Sequence, residues 1–241
     1  MRSYKRYTRR KRLLKHIVVV ALVFILGLVL LRAVSYIAIQ GEIPMINSFN
    51  LFRREADTSF GWNLILVNDD YRIPRNYEVE LTELSNGEKV DSRIYPQLQQ
   101  MFDVARTEGL ELFVREGYRT TQDQKNIMNE RIQKYQDEGY SRWEAKERAE
   151  EYVAEPGTSE HELGIAVDIN ADTSKCSADA VYTWLANNAY KYGFIKRYPD
   201  DKTEITGVNN EPWHYRYVGV DSAIEMQEKG LCLEEYIESL R

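Results

Sequence analysis

The chain has 241 residues, enough for one domain with an N-terminal extension, and 43% of them are apolar, enough for a packed core. Its formal charge of -6 conceals an asymmetry: the first 32 residues hold nine Lys or Arg and no acid, leaving 23 basic against 38 acidic side chains in the remainder. A body this acidic lacks the basic face that nucleic acid requires, so no nucleic-acid partner is expected.

Residues 1–16 form a basic tail, and Ile17 to Leu31 is an unbroken apolar run. Fifteen helical residues reach only about 22 Å against a hydrocarbon core of ~30 Å. Continuing through Ile39 gives about 34 Å, with Arg32 snorkelling to the outer interface. The preceding positive charges keep the tail in the cytoplasm. Residues 17–39 are therefore expected to be a single transmembrane anchor, with the rest of the chain outside a bacterial cell membrane. Ala33 and Ser35 leave a cleaved signal peptide as the alternative, and both readings export the body. Residues 40–61 read as a stalk, and residues 62–241 as the domain.

Within the domain, Trp62 to Val67 is strand-like, and Val79 to Leu84 is a second strand ended by Asn86-Gly87. Ser92 to Glu108 carries Ile94, Leu98, Met101, Phe102 and Ala105 at helical spacing, closed by Gly109. Leu110 to Val114 is a buried strand and Thr121 to about Tyr135 a helix. Ser141 and Glu144 make a capping box that opens another helix. Gly164 to Asn170 is a strand, Ala178 to Tyr192 a helix, Trp213 to Val218 a strand and Leu233 to Leu240 a final helix. Without a βαβ rhythm the expected class is α+β, a small central antiparallel sheet with flanking helices. Cys176 and Cys232 are too few for a disulfide scaffold; outside the cell they permit one bridge, or they are two unrelated thiols.

Of three histidines, two lie in the densest chemistry. In Ser159 to Asp168, strand alternation points Ile165, Val167 and Ile169 into a core, while Gly164, Ala166 and Asp168 share the other face. His161 precedes that strand and can fold over this small-residue floor. In Glu211 to Tyr217, His214 and Arg216 share one face, and Trp213, Tyr215 and Tyr217 the other, read as core. Side by side, the strands complete a His161-Asp168-His214 set, three ligands that leave a fourth zinc position for water. Glu211, with Pro212 bending the chain, can reach that water as general base. Arg119, where a strand enters a helix, can stabilise an oxyanion or hold a carboxylate.

Together these segments resemble the VanY-type D-alanyl-D-alanine carboxypeptidases, in a wider family with lysostaphin-type and hedgehog-type domains. Ser159 to Asp168 matches S-x-H-x-x-G-x-A-x-D, Glu211 to His214 matches E-x-W-H, and Gly117, Tyr118, Arg119 and Gln124 match the third motif. The resemblance covers about Trp62 to Arg241. It implies one zinc per chain on His161, Asp168 and His214, with Glu211 as base. It implies Arg119 at the oxyanion or substrate, and Ser159, Gln124 and Tyr118 in substrate binding. The implied reaction removes the C-terminal D-alanine from peptidoglycan stem pentapeptides. L,D-carboxypeptidase action on tetrapeptide stems is the alternative, an endopeptidase cutting crosslinks stays open, and a non-catalytic membrane-anchored wall-binding protein is the reading from another class. Glu116 departs from the family, which usually has a small residue before Gly117; a carboxylate there can pair with a nearby cation or alter the pocket.

Overall fold

A strand with apolar residues at every second position has one face to bury, and Ala166–Ala171 does so inside a four-stranded antiparallel sheet. The computed structural model describes residues 53–241, which form one compact unit. In chain order they hold β1 (Arg54–Glu55), β2 (Tyr71–Arg72), β3 (Leu81–Glu83), β4 (Lys89–Asp91), α1 (Tyr95–Thr107), β5 (Leu112–Glu116), α2 (Thr121–Asp137) and α3 (Arg142–Glu150). There follow β6 (Ala166–Ala171), α4 (Ala178–Asn188), β7 (Phe194–Lys196), α5 (Thr203–Thr206), β8 (His214–Tyr217), α6 (Val220–Lys229) and α7 (Leu233–Ser239). The basic tail, the spanning segment 17–39 and residues 40–52 of the expected stalk lie outside the described residues. Among the described residues no helix is long and apolar enough to cross a membrane.

The main sheet runs β5-β6-β8-β7, and β3 pairs with β4 in a separate antiparallel ribbon. This is the α+β arrangement of small sheets and flanking helices read from the sequence, with one parallel exception, the two-residue pair β1-β2. Val167 and Ile169 of β6, Leu112 and Val114 of β5 and Tyr215 of β8 join one buried cluster. Leu98, Met101, Phe102 and Ala105 of α1 and Val181 and Leu185 of α4 close it. The opposite sheet face carries Ala166, Asp168, His214 and Arg216.

Several expectations are corrected. Trp62 to Val67 is not a strand: Trp62–Leu64 is a 3-10 turn, and Ile65 to Val67 make no sheet pairing. Its apolar run nevertheless alternates, because Ile65 and Val67 enter the main core while Leu64 and Leu66 enter a second core with α6 and α7. The carbonyls of Asn63 and Ile65 accept from Arg216 Nη2 at 3.2 and 2.8 Å, which occupies groups a ladder would have used. The domain also begins earlier than Trp62, since β1 pairs with β2 and Ala56 is buried in the core. The strands β1, β2, β4 and β7 and the helices α5 and α6 were not expected; the strands are only two or three residues long and α5 only four, too short for a periodic signal.

Helices α2 and α3 form a hairpin sealed by Met128, Ala149 and Val153, outside the main core. Capping boxes start both, Thr120 with Asp123 and Ser141 with Glu144. Past the end of α3, the buried Glu155 ties the chain down, at 2.7 Å from Lys146 Nζ and 2.6 Å from Arg53 Nη1. Burial opposes its charge, but Lys146, Glu150 and Arg53 more than offset this and lower its pKa from 4.5 to about 2. A depressed carboxylate contributes stability above its unfolded value and loses it as pH falls through the folded one. Urea midpoints of the wild type and Glu155→Gln are therefore expected to differ at pH 6 and to converge between about pH 4.5 and pH 2. A constant difference across that range would mean that Glu155 acts through packing alone.

Candidate metal centre and active site

Antiparallel pairing sets Asp168 directly across from His214, with Ala166 across from Arg216. Adjacent partners on one face meet, so Asp168 Oδ1 lies 2.9 Å from His214 Nδ1. His161 reaches the same oxygen from a 3-10 turn, Glu160–Leu163, its Nε2 3.4 Å away. That turn is stopped by Gly164 in the left-handed conformation, φ 73°, where a Cβ would also press on Val79 and Asp91. Candidate ligand atoms of His161, Asp168 and His214 lie within 4.8 Å of one another, the grouping expected from the sequence.

The proton positions suit a cation. His161 Nδ1 lies 2.8 Å from the carbonyl of Gly117. A carbonyl only accepts, so Nδ1 donates and the Nε2 lone pair faces the centre. Gly117 is required for this approach, since a Cβ there would sit 2.2 Å from the Lys89 carbonyl oxygen. Two imidazoles and one carboxylate are the donor types of a catalytic zinc site, and their meeting around one point fits that metal.

Charge around the centre is finely opposed. Burial and the Arg119 guanidinium lower the His161 pKa against the pull of Asp168. For His214 burial again opposes charge, but Asp168 and Glu160 prevail and raise it to about 9. Asp168 is held well below the carboxylate range, the two imidazoles outweighing its burial. Glu211 is buried, its Oε2 3.8 Å from His214 Nδ1, and burial raises its pKa.

These groups line a cleft of about 430 Å³, shared with Arg119, Gln124, Ser159 and Trp213. Arg119 is held from several sides. Its backbone N–H donates to the His161 carbonyl at 3.2 Å and its Nη1 to Gln124 Oε1 at 3.2 Å. Its Nη2 stands 3.8 Å from Asp168 Oδ2. Glu116, the departure from the family pattern, pairs with Arg119 Nε at 3.2 Å without hydrogen-bond alignment. Gln124 is buried and doubly used, since its Nε2 also donates to the Ala154 carbonyl at 2.7 Å. Tyr118 is not among the residues lining the cleft; it is half-buried, and its amide donates to the Lys89 carbonyl at 2.6 Å. Trp213, read as core, lines the cleft instead. Both cysteines are free thiols: Cys176 bonds the Glu111 backbone, and Cys232 is the buried cap residue of α7, its amide donating to Glu235 Oε2 at 2.9 Å.

Sequence reasoning missed part of the site. Glu160, beside a ligand in the chain, is buried with Arg197 and Arg216. Arg131, seven residues after Gln124 and so on the same side of α2, lines the cleft. Tyr198 tilts over His214 with ring centroids 5.0 Å apart. Only spacing from recognised motif residues could have flagged these.

Two histidines and an aspartate that would hold a cation, with a buried carboxylate beside them on the wall of a cleft, are the arrangement of a metallohydrolase. The family model for VanY, D-alanyl-D-alanine carboxypeptidase, matches residues 87–220. A D-alanyl-D-alanine carboxypeptidase of Enterococcus faecalis is 53% identical over 196 residues, 81% of this chain and 73% of the relative. The structure of VanYB in complex with D-alanine-D-alanine is 56% identical with a TM-score of 0.73, covering 75% of this chain and 99% of that one. A vancomycin-resistance D,D-pentapeptidase VanY variant in complex with Zn(II) is 57% identical with a TM-score of 0.71, covering 73% and 99%. The chain belongs to the VanY family of D-alanyl-D-alanine carboxypeptidases, and it is a zinc metallocarboxypeptidase.

Asp168 is the only anion among the three grouped residues, so Asp168→Asn is expected to weaken zinc binding by more than the roughly 10–100-fold that an outer-shell loss costs. Competition against a chromophoric chelator measures this, and unchanged affinity would place the metal elsewhere.

Proposed function

We propose that the domain is a zinc-dependent D,D-carboxypeptidase that removes the C-terminal D-alanine from peptidoglycan stem pentapeptides. The observation that carries this reading is Glu211, buried beside the His161-Asp168-His214 group on the wall of a cleft that also holds Arg119. A site built only to hold a metal has no use for a free carboxylate there.

His161, Asp168 and His214 would hold the zinc, which when bound would supply a Lewis acid and lower the pKa of a bound water to about 7. Glu211 takes the proton of the attacking water and returns it to the departing amine; its burial raises its pKa toward the range a general base needs. Arg119 donates to the scissile carbonyl oxygen as charge develops on it. Gln124 and Glu116 hold that guanidinium in place rather than spending it on solvent. Ser159, buried on the cleft wall, orients the terminal carboxylate of the substrate. No contact by Tyr118 is needed in this reading.

Ahead of the domain, residues 17–39 anchor the chain in a bacterial cell membrane and residues 1–16 stay in the cytoplasm, which presents the cleft to the wall. The apolar run and its flanking positive charge support this topology.

Glu211→Gln is expected to keep zinc but lower the rate of D-alanine release by about 10²–10⁴-fold. Full turnover in that variant would remove Glu211 from the chemistry. Incubating purified domain with pentapeptide and tetrapeptide muropeptides should convert the first and spare the second; the reverse preference would establish the L,D reaction instead. For the topology, the full-length chain should sediment with membranes, and the same chain lacking residues 1–39 should not. Full-length protein recovered in the soluble cytoplasmic fraction would overturn the anchor.

A further inference from the structure

Behind the metal group lies a cluster of four charges that the reaction itself does not use. Glu160 is 2% exposed, Arg197 1% and Arg216 0%. Glu160 Oε1 accepts from Arg197 Nε and from Arg216 Nη1, each at 2.8 Å. Arg197 also forks onto Glu234 of α7, at 2.9 and 2.5 Å. The Glu160 carboxylate is thereby fixed in rotation, because two guanidinium groups hold one of its oxygens. Its other oxygen, Oε2, points at His214 Nε2 from 3.5 Å. Neither of these two buried atoms has a hydrogen-bond partner elsewhere among the described residues.

We propose that Glu160 is a positioning residue for zinc, which accepts the Nε2–H of His214 and so reserves the Nδ1 lone pair for the metal. A neutral imidazole carries one N–H, and a carboxylate only accepts, so the proton belongs on Nε2. The gap of 3.5 Å is at the long limit of a hydrogen bond. A cation on Nδ1 draws density from the ring and makes Nε2–H a stronger donor, which favours closing that gap. His161 is arranged in mirror fashion, its outer nitrogen fixed by the Gly117 carbonyl. Glu160 precedes His161 in the same 3-10 turn, so one turn supplies one ligand directly and orients the other. This inference rests on the zinc reading of the site and adds a residue that motif matching passes over.

The test is Glu160→Gln. Arg197 and Arg216 donate only, so they hold the amide oxygen and turn its NH₂ toward His214 Nε2. That nitrogen then has to accept, which puts the proton on Nδ1, where zinc would bind. Zinc affinity, by competition with a chromophoric chelator, is expected to fall roughly 10–100-fold, while a change of less than about twofold in a folded variant would overturn the proposal. A thermal melt of the metal-free proteins reports whether the variant folds. If it does not, nitrogen NMR of zinc-loaded wild type with isotope-labelled histidine decides. His214 is expected to show a metal-bound Nδ1 and an Nε2–H proton shifted downfield by its hydrogen bond to Glu160; an Nε2–H without that shift, or an unprotonated Nε2, overturns the role of Glu160. A merely structural role would leave that tautomer unmoved in a folded variant. Wild-type protein that fails to bind zinc at all would overturn the metal reading, a result distinct from either of these.

Discussion

The site depends on one backbone register. Asp168 and His214 are 46 residues apart in the chain, and only the antiparallel pairing of β6 with β8 sets them opposite each other on one face of the sheet. Side chains alternate along a strand, so a slip of one residue would send Asp168 into the core and Ile169 into the cleft. The apolar face guards against that slip. Val167, Ile169 and Tyr215 are buried with α1 and α4, and a one-residue slip would expose them to water. The hydrophobic core therefore holds the metal ligands in place without touching them.

Charge supplies the second layer of order. The centre gathers Glu160, Asp168 and Glu211 with Arg119, Arg197 and Arg216 in a largely buried space, and a buried charge is costly unless partnered. Each arginine here has a carboxylate within 4.0 Å, which makes the cluster tolerable. Arg197 reaches from Glu160 to Glu234, linking the metal group to the C-terminal helix. Arg216 turns its Nη2 onto the carbonyls of Asn63 and Ile65, which joins the site to the N-terminal edge of the domain. Segments distant in sequence thus meet through the same few guanidinium groups that shape the active site.

The cleft wall has a looser origin. The α2-α3 hairpin packs through its own small apolar group and adds Gln124, Ile127 and Arg131 to the lining. Its hold on the body includes the Arg119 bond to Gln124 and the ion pair of Glu155 with Arg53. A wall built on a few polar clamps can vary without disturbing the sheet that carries the chemistry, and substrate preference within the family has room to change there.

Much was legible in the chain because the relevant physics is local. Period-two alternation announced β6 and β8 and the face each residue takes; helical spacing announced α1, and capping residues announced α3. The motif residues His161, Asp168, His214, Glu211 and Arg119 could be named because their chemistry follows from residue type. The turn at Trp62–Leu64 was misread as a strand because burial on two sides imitates a sheet pattern. The sequence by itself determined the donor set and the strand faces, which depend on side-chain chemistry and on neighbours two residues away. Tertiary structure alone decided that Glu160 stands behind His214, that Glu116 meets Arg119 and that Trp213 opens on the cleft. Those contacts depend on distances between segments, which no local periodicity encodes.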